Sequence, residues 1–160
     1  MRKKIIIFLI IILLLIVFIF LKYVNLIGGP FVKIGQTKIF VEIADTEEKR
    51  IKGLSGRESL AANQGMLFIF PQPGYYTFWM PEMNFPIDII WFDEEKRIIG
   101  IENNVSNKFD PQNPQLYRPP APVLYVLEIK AGLAEQNQIR VGDIVIFSKI
   151  IENKIKVLKN

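Results

Sequence analysis

Hydrophobic and polar positions divide the chain into two unlike parts. From Ile5 to Leu21 it reads "IIIFLIIILLLIVFIFL", with no polar side chain, and Arg2, Lys3 and Lys4 stand directly before it. As a helix this run rises roughly 25 Å at about 1.5 Å per residue, a little less than the ~30 Å hydrocarbon core of a bilayer. Lys22 can snorkel and Tyr23 can sit at the interface, so Val24 to Ile27 complete a predicted transmembrane span over residues 5–27.

After Pro30 the pattern changes to short apolar bursts separated by turn residues. "FVKIG" and "KIFVEI" around "GQT" predict an opening hairpin. "DTEEKRIKGL" predicts a helix of about two turns, with Asp45 or Thr46 as cap, Glu47 and Glu48 at the positive end of the dipole, and Gly53 as a left-handed stop. Ile51 and Leu54 would face the core, and residues 56–65 read as a turn with a fragment of helix. Strands are predicted at Met66–Phe70, Tyr76–Met80, Ile87–Phe92, Ile98–Asn104, Val123–Ile129 and Ile144–Ser148, with a short helix or turn at Gly132–Asn137 and a last hairpin arm at Lys154–Leu158. Between Asn103 and Pro122 lies an irregular stretch carrying Pro111, Pro114, Pro119, Pro120 and Pro122, which can be neither helix interior nor central strand. The fold class expected is α+β, mainly β: a largely antiparallel sheet rolled toward a barrel with one or two short helices, behind the N-terminal span.

Length allows one ordinary domain, so the division is residues 1–28 as cytoplasmic stub and anchor and 29–160 as the β-rich domain. A cleaved signal peptide is the competing reading of the apolar run. Such peptides have an apolar region of about 7 to 15 residues and an Ala-x-Ala-like site, whereas this run is longer and is followed by "KYVNLIGGPF". An uncleaved anchor is therefore expected, with the more basic N-terminal flank in the cytoplasm and the domain facing outward at the cell membrane.

The net charge of +4 invites a nucleic-acid reading that its distribution removes. Arg2, Lys3, Lys4 and Lys22 are four of the twenty Lys and Arg, which leaves the body with sixteen cations against sixteen carboxylates. The groups at Glu47–Arg50 and Glu94–Arg97 alternate in sign, so no nucleic-acid partner is expected. With no Cys and no His, thiol nucleophiles, Ser-His-Asp arrangements and Cys or His zinc sites are excluded. No metal or other cofactor is expected, and the domain must stand without disulfides.

Carboxylates, Lys, Tyr and hydroxyls remain as possible chemistry. Arg57, in the turn after Gly56, could fork onto a ligand carboxylate or form a structural pair with Asp88 or Glu128. Asp88 opens the apolar strand "IDIIWF", where burial makes either a general acid or a satisfied structural Asp. Glu128 in "YVLEIKAG" and Glu82 in "MPEM" are further carboxylates, and two of them facing one cleft at ~5 to 9.5 Å would permit glycoside hydrolysis. Tyr75, Tyr76, Phe78, Trp79 and Trp91 could wall a groove; alternation would put Tyr76, Phe78 and Met80 on one face and Trp79 on the other. Arg50 and Tyr117 complete the candidate set of a ligand-binding or structural polar network.

Taken in order, "RIKGLSGRESL", "GMLFIF", "FWMPEMNFPIDIIW" and "YVLEIKAG" followed by "QIRVGD" resemble the bacterial and archaeal family known as domain of unknown function 192. The resemblance spans Val32 to Phe147. It places the family's motif positions at Arg50, Gly53, Leu54, Arg57, Gly65, Met66, Phe78, Trp79, Met80, Asp88, Glu128, Gly132 and Asp143 among others. Where many members carry Lys-Asn-Thr after Phe-Trp-Met, this chain has Pro81, Glu82 and Met83. The resemblance implies a small β-rich domain, commonly exported or membrane-tethered, without a settled activity. The function expected is a membrane-anchored module that binds an envelope ligand or protein beside Trp79, Arg57 and the proline-rich loop. The alternative is a carboxylate-dependent enzyme acting on envelope glycans through Asp88 with Glu82 or Glu128.

Overall fold

The alternation of apolar positions from Phe31 onward builds one strongly curved sheet. The computed structural model describes residues 10–19 and 28–158. Residues 10–19 are helical (α1) with exposed side chains. The expected anchor over 5–27 lies in large part outside the described residues, and among those described no helix is long and apolar enough to cross a membrane.

The elements that follow are β1 (Phe31–Ile34), β2 (Thr37–Ala44), α2 (Glu47–Lys52), β3 (Gln64–Gly74), β4 (Ile87–Phe92), β5 (Ile98–Val105), β6 (Val123–Lys130), α3 (Leu133–Gln136), β7 (Val145–Phe147) and α4 (Lys149–Leu158). The strands form one seven-stranded sheet in the order β5-β4-β6-β3-β2-β1-β7, in which only the β2–β3 pair is parallel. Its ends approach each other. Arg97 bridges Ile144, Ile98 N donates to Asp143 O at 2.9 Å and Val145 N donates to Lys96 O at 2.9 Å, which rolls the sheet toward a barrel.

Because side chains alternate across a strand, the sheet has an inner and an outer apolar face. Val32, Ile39, Leu67, Ile90, Phe92 and Leu127 line the inside, with Ile151 and Ile155 of α4 packed against them. The outer face carries Phe68, Ile89, Trp91 and Val126, covered by Leu54, Leu60, Met80 and Met83 from the connections.

Four local expectations are corrected. Residues 154–158 belong to α4 and not to a hairpin arm: Ile151 and Ile155, four apart, bury one helical face, a spacing that a charged segment this short shares with strand alternation. Ile51 is 74 % exposed, because α2 ends before its apolar side reaches the sheet and Leu54, just beyond, makes the contact instead. Residues 56–63 form turns and bends without helix. Tyr76–Met80 is not a strand. It lies across the outer face, and its neighbour is the proline-rich loop, which sustains only the single bridge Phe78–Tyr117. The inward and outward alternation of its side chains survives: Met80 is buried and Trp79 exposed.

Candidate functional site

Strand register gathers carboxylates that are far apart in the chain. Glu42 pairs with Met66, Met66 with Glu128, Glu128 with Ile89, and Ile89 with Glu102, one row across the outer face from β2 to β5. At about 4.8 Å per strand, Glu128 stands roughly 10 Å of backbone from each of the other two.

Glu128 is the buried member, 6 % exposed, and its Oε2 has no hydrogen-bond partner among the described residues. Burial pushes its carboxyl up to about 8, against the opposing pull of the Arg57 guanidinium. Arg57 itself donates to both carboxylate oxygens of Glu42, at 2.5 and 2.7 Å. That fork, more than the nearby Glu128, raises the guanidinium above its ordinary range, and the same hydrogen bond holds the Glu42 carboxyl below its own. The turn that delivers Arg57 is pinned to the segment after Met80: Ser55 Oγ donates to Pro81 O at 2.9 Å, Gly56 N to Glu82 O at 2.9 Å, and Asn84 Nδ2 to Arg57 O at 2.9 Å. Gly53, at φ 50° and ψ −134°, lies over this place; a Cβ there would stand 3.5 Å from the Phe68 ring and 3.9 Å from Glu128 Oε2.

Asp88 is equally buried and entirely different. Its Oδ1 accepts from Asn104 N at 2.8 Å and Gly132 N at 3.0 Å, and its Oδ2 accepts from Ala134 N at 2.9 Å, so it fastens β5 and the start of α3 to β4. It pairs across β6 with Ile129 of the inner face, whereas Glu128 pairs with Ile89 of the outer face. The two carboxylates therefore occupy opposite sides of the sheet and cannot share a cleft. The structural role considered for Asp88 is the one observed, and its pairing with Arg57 is replaced by the Arg57–Glu42 fork.

The remaining candidates separate. Arg50 donates to Ile69 O at 2.9 Å and lies over the Phe70 ring, bracing α2 on β3. Trp79 is 52 % exposed and meets Phe109 of the proline-rich loop edge to face. Glu82 is exposed at φ 54° and enters the Arg57 turn through its carbonyl. Tyr117 is half-buried on Phe78, and burial, with the charge of Glu102, raises its hydroxyl. Trp91, at the centre of the outer face, holds a second unpartnered buried atom, Nε1, and Phe78 meets its ring edge to face. Sequence reasoning missed Glu42 and Glu102. The alternation in "KIFVEI" puts Glu42 on the face opposite Ile39 and Val41, but only the parallel β2–β3 register aligns it with Glu128.

None of these residues lines either of two surface clefts among the described residues. One of about 530 Å³ lies between residues 34–37 and 137–144, and one of about 170 Å³ is walled by Leu60, Phe85, Pro86 and Lys130. Among the described residues, no group of three or more Asp or Glu side chains is placed to hold a metal ion.

Comparison with known proteins gives relatives that share the fold. A crystal structure of a protein of unknown function from Novosphingobium aromaticivorans DSM 12444 is 32 % identical, with a TM-score of 0.66 over 72 % of this chain and 83 % of that one. A second, of a protein put forward as a transcription regulator from Sinorhizobium meliloti 1021, is 25 % identical, with a TM-score of 0.67 over 75 % of this chain and 95 % of that one. No curated protein matches the chain. The model of the family DUF192, Uncharacterized ACR, matches residues 31–147, nearly the whole β domain with the Arg57–Glu128 site inside it, and the chain belongs to that family.

Proposed function

We propose that this protein is a ligand-binding module of the cell envelope, tethered to the membrane by residues 5–27, with its β domain outside the cytoplasm and its ligand received between Arg57 and Glu128. The observation that carries the reading is the unpartnered Oε2 of Glu128. Buried polar groups are ordinarily hydrogen-bonded, and this fold has the means to do it, since it surrounds Asp88 with three N–H donors. At Glu128 it leaves a buried carboxyl oxygen unpartnered beside a guanidinium whose own partner, Glu42, is largely solvent-exposed. The fork is a strong geometry, but its Glu42 side is held in water, so an acidic ligand group that offers the same two oxygens can compete with Glu42 for Arg57. Glu128, protonated near neutral pH, can then donate to an acceptor on the same ligand. The exposed Trp79–Phe109 pair supplies an aromatic surface on the neighbouring loops.

Glycan hydrolysis has less support. Glu128 has the protonation of a general acid, but Asp88, the expected second carboxylate, is on the other side of the sheet. The regulator name carried by the Sinorhizobium relative finds no echo in the charge-balanced body of this chain.

The test is binding of acidic envelope peptides and glycan fragments to the full chain in detergent, read by calorimetry. Arg57→Ala is expected to abolish binding and Glu128→Gln to weaken it at least several-fold. Binding unchanged in both variants rejects the site. The tether is checked by intact mass of membrane-extracted protein: a product retaining Met1 or Arg2 is expected, and one starting near Gly29 would mean a cleaved signal.

A further inference from the structure

The outer face of the sheet is covered by connections only on the side of β6, β4 and β3. On β1, β7 and the first half of β2 it is bare. Register aligns Phe31 with Phe40, Lys33 with Lys38, and Lys33 with Ile146. Phe40 is 36 % and Ile146 58 % exposed, and neither belongs to the apolar clusters of the two faces. Lys38 Nζ stands 4.1 Å from the Phe31 ring centre and 4.8 Å from that of Phe40. No ion pair among the described residues engages Lys33 or Lys38.

This bare patch lies where the chain leaves the expected span. Only Gly28, Gly29 and Pro30 separate Ile27 from Phe31, so at about 3.6 Å per residue the first residue of β1 is within roughly 14 Å of the end of the apolar segment. The connection on the protein side is firm: Phe31 N donates to Ser148 Oγ at 3.2 Å, Ser148 N donates to Phe31 O at 3.0 Å, and Val41 N donates to Pro30 O at 2.9 Å. Ser148 leads directly into α4, whose first two residues, Lys149 and Ile150, are exposed beside it.

We propose that the bare outer face of β1, β7 and the first half of β2 rests on an anionic bilayer surface, with Phe31, Phe40 and Ile146 in the headgroup region and Lys33 and Lys38 against lipid phosphates. The proposal rests on the reading of residues 5–27 as an anchor, and it adds an orientation. Aromatic and aliphatic side chains interleaved with unpaired lysines have the composition of an interfacial contact, and each lysine near an anionic surface contributes favourably until salt screens it. With that face down, the proline-rich loop, which bridges Phe78 over the β3 and β4 side of the outer face, stays in water.

The chain has no cysteine, so single labelling sites need no prior substitution. Full-length Ile146→Cys and Gln112→Cys proteins, each carrying an environment-sensitive fluorophore, are reconstituted in phosphatidylcholine vesicles with and without phosphatidylglycerol; Gln112 is exposed in the proline-rich loop. The label at 146 is expected to shift to the blue and to be quenched several-fold more by lipid-borne quencher than the label at 112. That difference should be larger with phosphatidylglycerol, and should shrink in high salt or in Lys33→Glu/Lys38→Glu protein. An alkaline carbonate wash distinguishes the two layers of argument. Protein retained in the vesicles with its 146 label as water-accessible as the 112 label overturns the orientation and leaves the anchor standing. Protein released by the wash overturns both.

Discussion

Replacing Glu128 by Gln tests the site without changing its shape. The folded carboxyl titrates at about 8 and the unfolded one near the ordinary 4.5. Between those values the folded chain holds a proton that the unfolded chain has released, so wild-type stability falls as pH rises through this window, the reverse of the usual salt-bridged carboxylate. At about 1.4 kcal/mol per pH unit, Glu128 lowers stability by on the order of 3 kcal/mol between pH 4.5 and 7. That figure already includes the pull of Arg57 toward the charged form. Gln carries no titrating proton and loses nothing over the same range. Urea unfolding of both proteins from pH 5 to 8, followed by indole emission, gives the difference directly, with the fully buried Trp91 as the main reporter. The variant should gain on the wild type steadily with pH. Parallel curves across the window, or a wild type that gains on the variant, would refute an unpaired, buried Glu128.

Three further substitutions probe the frame around the site. Asp88→Ala orphans the N–H groups of Asn104, Gly132 and Ala134 and should cost at least about 3 kcal/mol in chemical unfolding; a loss under about 1 kcal/mol would contradict its role as fastener. Gly65→Ala would put a Cβ 2.6 Å from the Glu128 carbonyl oxygen, a backbone atom fixed in the ladder, so a marked fall in melting temperature or a failure to fold is expected. Gly53→Val at φ 50° and ψ −134° should destabilise by more than about 1 kcal/mol, and an unchanged melting curve would show that the turn relaxes freely.

Neither relative's description assigns a role to this site, which is therefore argued from its own chemistry. The contrast inside one sheet is what makes that possible. Two carboxylates, one strand apart and both buried, receive opposite treatment, and only one can be explained by the needs of the fold.

Much of this domain was legible from neighbouring residues. The hairpin at Phe31–Ala44, the α2 cap at Thr46, the strands at Ile87–Phe92 and Val123–Lys130 and the turn at Asp93–Arg97 each follow from alternation, β-branched content and turn chemistry within a few positions. Where local signals were ambiguous they misled, as at Lys154–Leu158, where burial of Ile151 and Ile155 chose helix over strand. The sequence by itself determined that an apolar run precedes a charge-balanced β-rich body without Cys or His chemistry. It could not say which carboxylates would meet. Asp88 finds its donor on Ala134, 46 residues away, and Arg57 finds Glu42 where Asp88 or Glu128 was expected. A strand's facing residues are decided by register, and register is decided by the whole sheet; only the tertiary structure therefore put Asp88 inside the barrel and Glu128, unpartnered and beside Arg57, on its outer face.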